Sequence, residues 1–242
     1  MARPRRPEFA LYEQGILVQM TGVDAGYDGP AVLNGVDFEV RSGEVAFVTG
    51  PTSAGKTTFM HLVRLALLPR AGQAIIMGAD VQRLNSRERA KVKRKIGYIA
   101  ENPVFVEEWN SFDNIAEALK IGGGRKSKDF VDDVEELIAF VGLGDHARQP
   151  VRELSGAARR RVAIARALAA KPDLILADDP TAGMSPDAGH RIVRLLGEMR
   201  KVGAGVIITS QDESLADWAP GALYRIQNGR LLAVDEATAA EV

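Results

Sequence analysis

The chain has 242 residues, 46% hydrophobic and 26% charged, which is enough for one large globular domain or two small ones. Its 31 Lys and Arg nearly balance 32 Asp and Glu, so the overall charge recommends neither nucleic acid nor an anionic bilayer as the main partner. Cysteine is absent, which excludes disulfides and thiolate metal sites, and no window approaches the roughly 18 uninterrupted apolar residues of a spanning helix. The opening Met1-Ala-Arg-Pro-Arg-Arg-Pro is basic and leads to Glu8, Tyr12 and Glu13 instead of an apolar core region. Residues 1–13 are therefore expected to form a loose tail and not a signal peptide.

Residues 16–20 and 35–40 cluster or alternate apolar side chains at strand length, on either side of the turn-rich 24–30. Within that loop Tyr27 offers a flat face that can stack on an adenine or plug against the sheet. The apolar Val45-Ala46-Phe47-Val48 then runs into Gly50-Pro51-Thr52-Ser53-Ala54-Gly55-Lys56-Thr57-Thr58, which fits G-x-x-x-x-G-K-[ST] at every fixed position. The apolar-rich residues through Leu67 read as a helix, so the loop feeds a helix N-terminus, the geometry of an anion cradle. Backbone N–H groups of such a loop point at a phosphate, Lys56 reaches the β- and γ-phosphates, and the Thr57 hydroxyl binds Mg²⁺.

Further along, 72–78 reads as a strand closed by glycine, 82–95 as a basic solvated helix face, and 96–99 as a buried strand ending before Glu101. From 111 to 144 the period is helical, with Phe112, Ile115, Ala116 and Leu119 on one face and Val131, Val134, Leu137, Ile138 and Val141 on another, interrupted by a glycine-rich break at 122–127. Ser155 caps a helix continuing through Leu168. Residues 174–179 form an apolar run ending in Asp178 and Asp179, the pattern of a buried parallel strand that delivers carboxylates at its C-terminal edge. A helix over 190–201, a buried strand over 205–212, and a hairpin turning at Asn228-Gly229 complete the chain.

Three ordered elements carry a family resemblance: the phosphate loop, Leu154-Ser155-Gly156 beginning 98 residues after Lys56, and Asp178 ending the acidic strand. In that order and at that spacing the chain resembles the ATP-binding subunit of an ABC transporter, from Ile16 to Val234. Stretches such as Lys93-Arg-Lys-Ile-Gly-Tyr, Asp113-Asn-Ile-Ala and Leu176-Ala-Asp are similar to the cell-division ATPase FtsE, and much of this is shared by lipoprotein-release and macrolide-efflux ATPases. The resemblance implies an α/β fold of the P-loop NTPase class: a RecA-like core, an N-terminal antiparallel β-subdomain and a helical subdomain inserted at about 96–170, within a domain spanning 14–242. It implies ATP and Mg²⁺ as cofactors, with Tyr27 stacking on adenine, residues 50–58 holding the phosphates, and Asp178 holding Mg²⁺ through water. Ser155, Gly156 and Ala157 would cap the γ-phosphate bound to a second protomer, so the homodimer would form on ATP binding. It also implies a peripheral position on the cytoplasmic face of a bacterial inner membrane, through an FtsX-like partner docking near Glu101, Phe105, Val106 and Trp109.

The departures from the family pattern fall where the chemistry lies. Glu101 stands where the family has a glutamine that ligates Mg²⁺, Asp179 where it has a water-polarising glutamate, and Gln211 where it has a switch histidine. Ala157 replaces a glycine, Ala158 a glutamine or glutamate, Ser185 an aspartate, and Ser53 the commonest glycine of the phosphate loop. The expectation is nucleotide binding retained and hydrolysis slowed, by about 10²- to 10⁴-fold for a misplaced base. An almost inert nucleotide-dependent clamp and a lipid or efflux transporter subunit are the alternative readings.

Overall fold

The computed structural model describes residue 12, residues 14–122 and residues 130–234. Most of the expected tail, and the glycine-rich break beyond Gly122, lie outside the described residues.

Two sheets build the protein. Strands β1 (Ile16–Ala25), β2 (Leu33–Arg41), β4 (Ala71–Ile76) and β5 (Ala79–Asp80) form an antiparallel sheet in the order β2-β1-β4-β5. The second sheet orders β10 (Arg230–Ala233), β9 (Ala222–Gln227), β3 (Val45–Thr49), β8 (Gly205–Ser210), β7 (Leu174–Asp178) and β6 (Ile96–Ile99). Its strands are parallel except β10, which pairs antiparallel at the edge. Strands β3, β7 and β8 are buried at every position, as continuous apolar runs must be when both sheet faces are covered.

The alternation of side chains along β3 divides the core. Val45 and Phe47 join one apolar cluster with the helices of the insert, while Ala46 and Val48 join another with the antiparallel sheet. Helix α1 (Lys56–Val63) lies in that second cluster, where Phe38 of β2 meets Phe59 of α1 and Tyr224 of β9, each at 5.0 Å between ring centroids. The insert between β6 and β7 contains α3 (Ser111–Gly122), α4 (Phe130–Phe140) and α5 (Gly156–Leu168), while α2 (Ser86–Lys93) precedes β6 and α6 (Pro186–Glu198) follows β7.

Several expectations change in detail. The strand expected at 96–99 forms as β6, paired with β7 in the core sheet, so the helical insert begins after it and not at about 96. Val131 points outward at 52% exposure, because the buried face of α4 is carried by Val134 and Ile138. Helix α6 begins at 186 and not 190, since Pro186 at its first turn has a backbone already set for helix. Helix α1 ends at Val63, and Leu65 follows with a positive φ of 58° that no helix continues through. Tyr12 is held, not loose: its hydroxyl donates to Asp173 at 2.7 Å and accepts from Lys95 at 2.7 Å. Asn228 (φ 52°) and Gly229 (φ 74°) make the expected tight hairpin turn.

Because β3, β7 and β8 are parallel, their C-terminal ends share one edge. Asp178 pairs in register with Thr209, and Thr49 with Ser210. The phosphate loop, the two aspartates and Gln211 therefore converge there.

Candidate functional site

The loop leaves β3 at Gly50, whose φ of 149° and surroundings demand glycine, since a Cβ would lie 2.7 Å from the Ile226 carbonyl oxygen. It enters α1 at Gly55, where a Cβ would lie 2.9 Å from Leu33 Cδ2. No side chain caps α1 and its first turn carries no acidic residue, which leaves its N–H donors and its dipole to an anion. Lys56 Nζ donates to the carbonyl oxygens of Gly50 at 2.6 Å and Pro51 at 2.9 Å, so the ammonium is already folded over the cradle. Burial pushes its pKa below the ordinary lysine value, against the pull of Asp179, Asp178 and Glu101. Thr57 is exposed at the lip. Ser53, in place of glycine, adopts a left-handed φ of 64°.

Asp178 is 5% exposed and accepts hydrogen bonds from Thr209 Oγ1 at 2.7 Å and the Tyr98 hydroxyl at 3.2 Å. Asp179 turns out of the strand at φ 44°, its N–H on the Thr209 carbonyl and its carboxylate 3.5 Å from Ser210 Oγ. Burial, reinforced by the Glu101 carboxylate, raises the Asp179 pKa above the usual carboxylate range, with Lys56 and Arg160 opposing. Gln211 accepts from Thr52 Oγ1 at 3.0 Å, which links the end of β8 to the phosphate loop. Tyr27 is 49% exposed, so it is no plug against the sheet.

Among the described residues no hydrogen bond or ion pair joins Ser155, Gly156 or Ala157 to the phosphate loop. Ser155 Oγ caps α5 by accepting from the Ala158 N–H at 3.2 Å, and Ser155 and Gly156 face solvent. Gly156 needs neither a positive φ nor space within its own chain: a Cβ there meets nothing within 4 Å.

Two arginines of α5 that sequence reasoning passed over tie this helix to the loop after β6. Arg160, 6% exposed, donates to the carbonyl oxygens of Ala100 at 2.7 Å and Glu101 at 2.8 Å. Arg159 forms a bidentate pair with Glu107 at 2.5 and 2.7 Å, holding that carboxyl below its usual range. A signal was present, since Arg160 lies one turn before the fully buried Ile164 and so shares its inward face. Beside this loop opens a groove of about 740 Å³ lined by Ala100, Val104, Phe105, Trp109, Ile121 and Arg166. Phe105 is buried at its base under Arg159 and Arg166, whereas Val104, Val106 and Trp109 are exposed.

The sequence profile described as ABC transporter matches residues 33–182, from β2 through the segment after Asp179. The chain belongs to the ABC transporter ATP-binding family. A lipoprotein-releasing system ATP-binding protein, LolD of Hyphomonas neptunium, is 36% identical over 205 residues, covering 82% of this chain and 90% of the relative. The cell division ATP-binding protein FtsE of Bacillus subtilis is 30% identical over 214 residues, covering 88% and 93%. A dimeric ATP-binding cassette in a post-hydrolysis state, bound to ADP and Pi, superimposes with a TM-score of 0.79 at 25% identity, covering 89% of this chain and 96% of that one. The FtsE likeness in the sequence is thus real but not particular, since LolD-type relatives are at least as similar. As an ABC cassette, the protein has the α/β architecture expected, with its antiparallel N-terminal sheet and helical insert.

Proposed function

We propose that this cassette binds Mg-ATP at residues 50–58, closes head to tail on a second copy, and hydrolyses ATP slowly while acting on an inner-membrane partner. The observation that carries the reading is the loop itself: free first-turn donors, with an ammonium held on two loop carbonyls that phosphate oxygens can replace. The donor set suits Mg²⁺ arriving with the nucleotide. Among the described residues no cluster of three metal-ligating side chains exists, and Thr57 and the buried Asp178 offer the one or two protein ligands typical where phosphates supply the rest. Bound there, the metal would neutralise phosphate charge. The exposed Gly156 at the capped start of α5, with no steric requirement of its own, supports a phosphate approaching from a second copy.

The partner reading favoured by the relatives is a lipoprotein- or lipid-releasing membrane complex, with an FtsX-like division partner second because an FtsE spans almost the whole chain. Among the described residues no helix is long and apolar enough to cross a membrane. Attachment at the cytoplasmic face would run through the groove beside Trp109, where exposed Val104, Val106 and Trp109 offer apolar contact. Titration calorimetry with Mg-ATP tests the core of this reading. Binding is expected in the wild type and loss of at least tenfold in Lys56→Ala; no heat of association in the wild type would refute it. Co-purification of the tagged protein from membranes, followed by identification of the captured partner, separates lipoprotein release from division.

A further inference from the structure

We propose that His61 is a positioning residue for the nucleotide base, fixing the Tyr27 ring in the attitude that receives adenine. This rests on Tyr27 being the adenine platform. The Tyr27 hydroxyl and His61 Nδ1 lie 2.5 Å apart, and the two rings meet edge to face at 88° with centroids 6.1 Å apart. His61 meets the ring without stacking on it, so the π face stays open to a base. Nearly half of the tyrosine is exposed on a surface loop, where an untethered ring would exchange rotamers.

The loop backbone is tied as well, by the Val32 N–H to the Ala25 carbonyl at 2.8 Å and by Arg70 Nη1 to the Gly29 carbonyl at 2.6 Å. The ring itself is held by the bond to His61, which stands on α1 five residues after Lys56. Helix α1 thus carries both the phosphate grip and the residue that holds the base platform, and so sets the distance between them. Burial, then Arg64, pushes the His61 pKa below its ordinary value against Asp178, which keeps the imidazole neutral and able to donate or accept in this bond. With its hydroxyl engaged, Tyr27 reads the face of the base and not its edge.

The test is a double-mutant cycle read by calorimetry with Mg-ATP and, separately, with inorganic tripolyphosphate, which has no base. Tyr27→Phe and His61→Phe are each expected to weaken ATP binding about three- to tenfold, and the double variant no further than either alone. His61→Gln, whose amide still meets the hydroxyl, should stay within about twofold of wild type, and tripolyphosphate affinity should be the same in all. Additive losses, an unchanged Tyr27→Phe, or a parallel fall in tripolyphosphate affinity would overturn the proposal. Tyr27→Ala separates it from its premise. Undiminished ATP affinity there removes the platform and the positioning role together, while a loss there with none in His61→Phe removes the positioning role alone.

Discussion

Asp179 combines a left-handed backbone with a carboxyl whose pKa is raised by burial and by Glu101. Aspartate tolerates positive φ better than glutamate, so the short side chain fits the backbone at the expense of reach. Asp179→Glu is expected to raise steady-state phosphate release at least tenfold while lowering the melting temperature slightly; unchanged turnover would place the defect elsewhere in the site. The raised carboxyl also fixes a sign for pH dependence. A group whose folded pKa exceeds its unfolded one stabilises the fold fully below the unfolded value, about 4, and loses that contribution as pH rises through the folded one. Without nucleotide, Asp179→Asn should therefore gain on wild type as pH rises from about 4 to 7, modestly, because the group is only partly buried and solvent screens it. Urea titrations at both pH values check this, and a pH-independent gain would point to backbone relief alone. At Ser53, left-handed at φ 64°, glycine removes steric strain but widens the unfolded ensemble. Ser53→Gly should stabilise by about 0.5–1 kcal/mol in the same titration.

The elements that were legible in the sequence are those specified by adjacent residues. Gly50 through Thr57 is one contiguous motif, and Asn228-Gly229 needs only two residues to make its turn. Strand β5 was not legible because two residues, Ala79 and Asp80, carry no period, although Met77 and Gly78 at φ 49° and 69° make the same kind of turn as the later hairpin. Likewise invisible were bonds between distant stretches: Arg159 to Glu107 spans 52 residues, and Tyr12 to Asp173 spans 161. Helix α5 shows what such bonds do. Its Arg160 satisfies two carbonyls of the loop after β6, and Arg160→Met leaves both without that donor. A loss of about 2–3 kcal/mol in urea unfolding is expected, with Arg160→Lys intermediate. Loss of the opposing cation should also move the Asp179 pKa further upward.

At the scale of the whole molecule, the proposed function makes the site in one chain a half. Ser155 and Gly156 are exposed and, among the described residues, make no hydrogen bond to the phosphate loop of their own chain, and Gly156 has room for a methyl group. Gly156→Ala should thus leave the isolated subunit as stable as wild type, or up to about 0.5 kcal/mol more so. The same change should weaken ATP-dependent dimerisation severalfold in analytical ultracentrifugation; dimers forming equally well would argue against a phosphate at this helix start. The groove beside this helix has a consequence of its own. Ala100 lines it, the Ala100 carbonyl is clasped by Arg160, and the next residue, Glu101, bears electrostatically on Asp179. A wedge driven into the groove from outside would load the contacts that α5 makes with the loop after β6, the guanidinium clasp of Arg160 among them, and the carboxylate next to that clasp would register the pull.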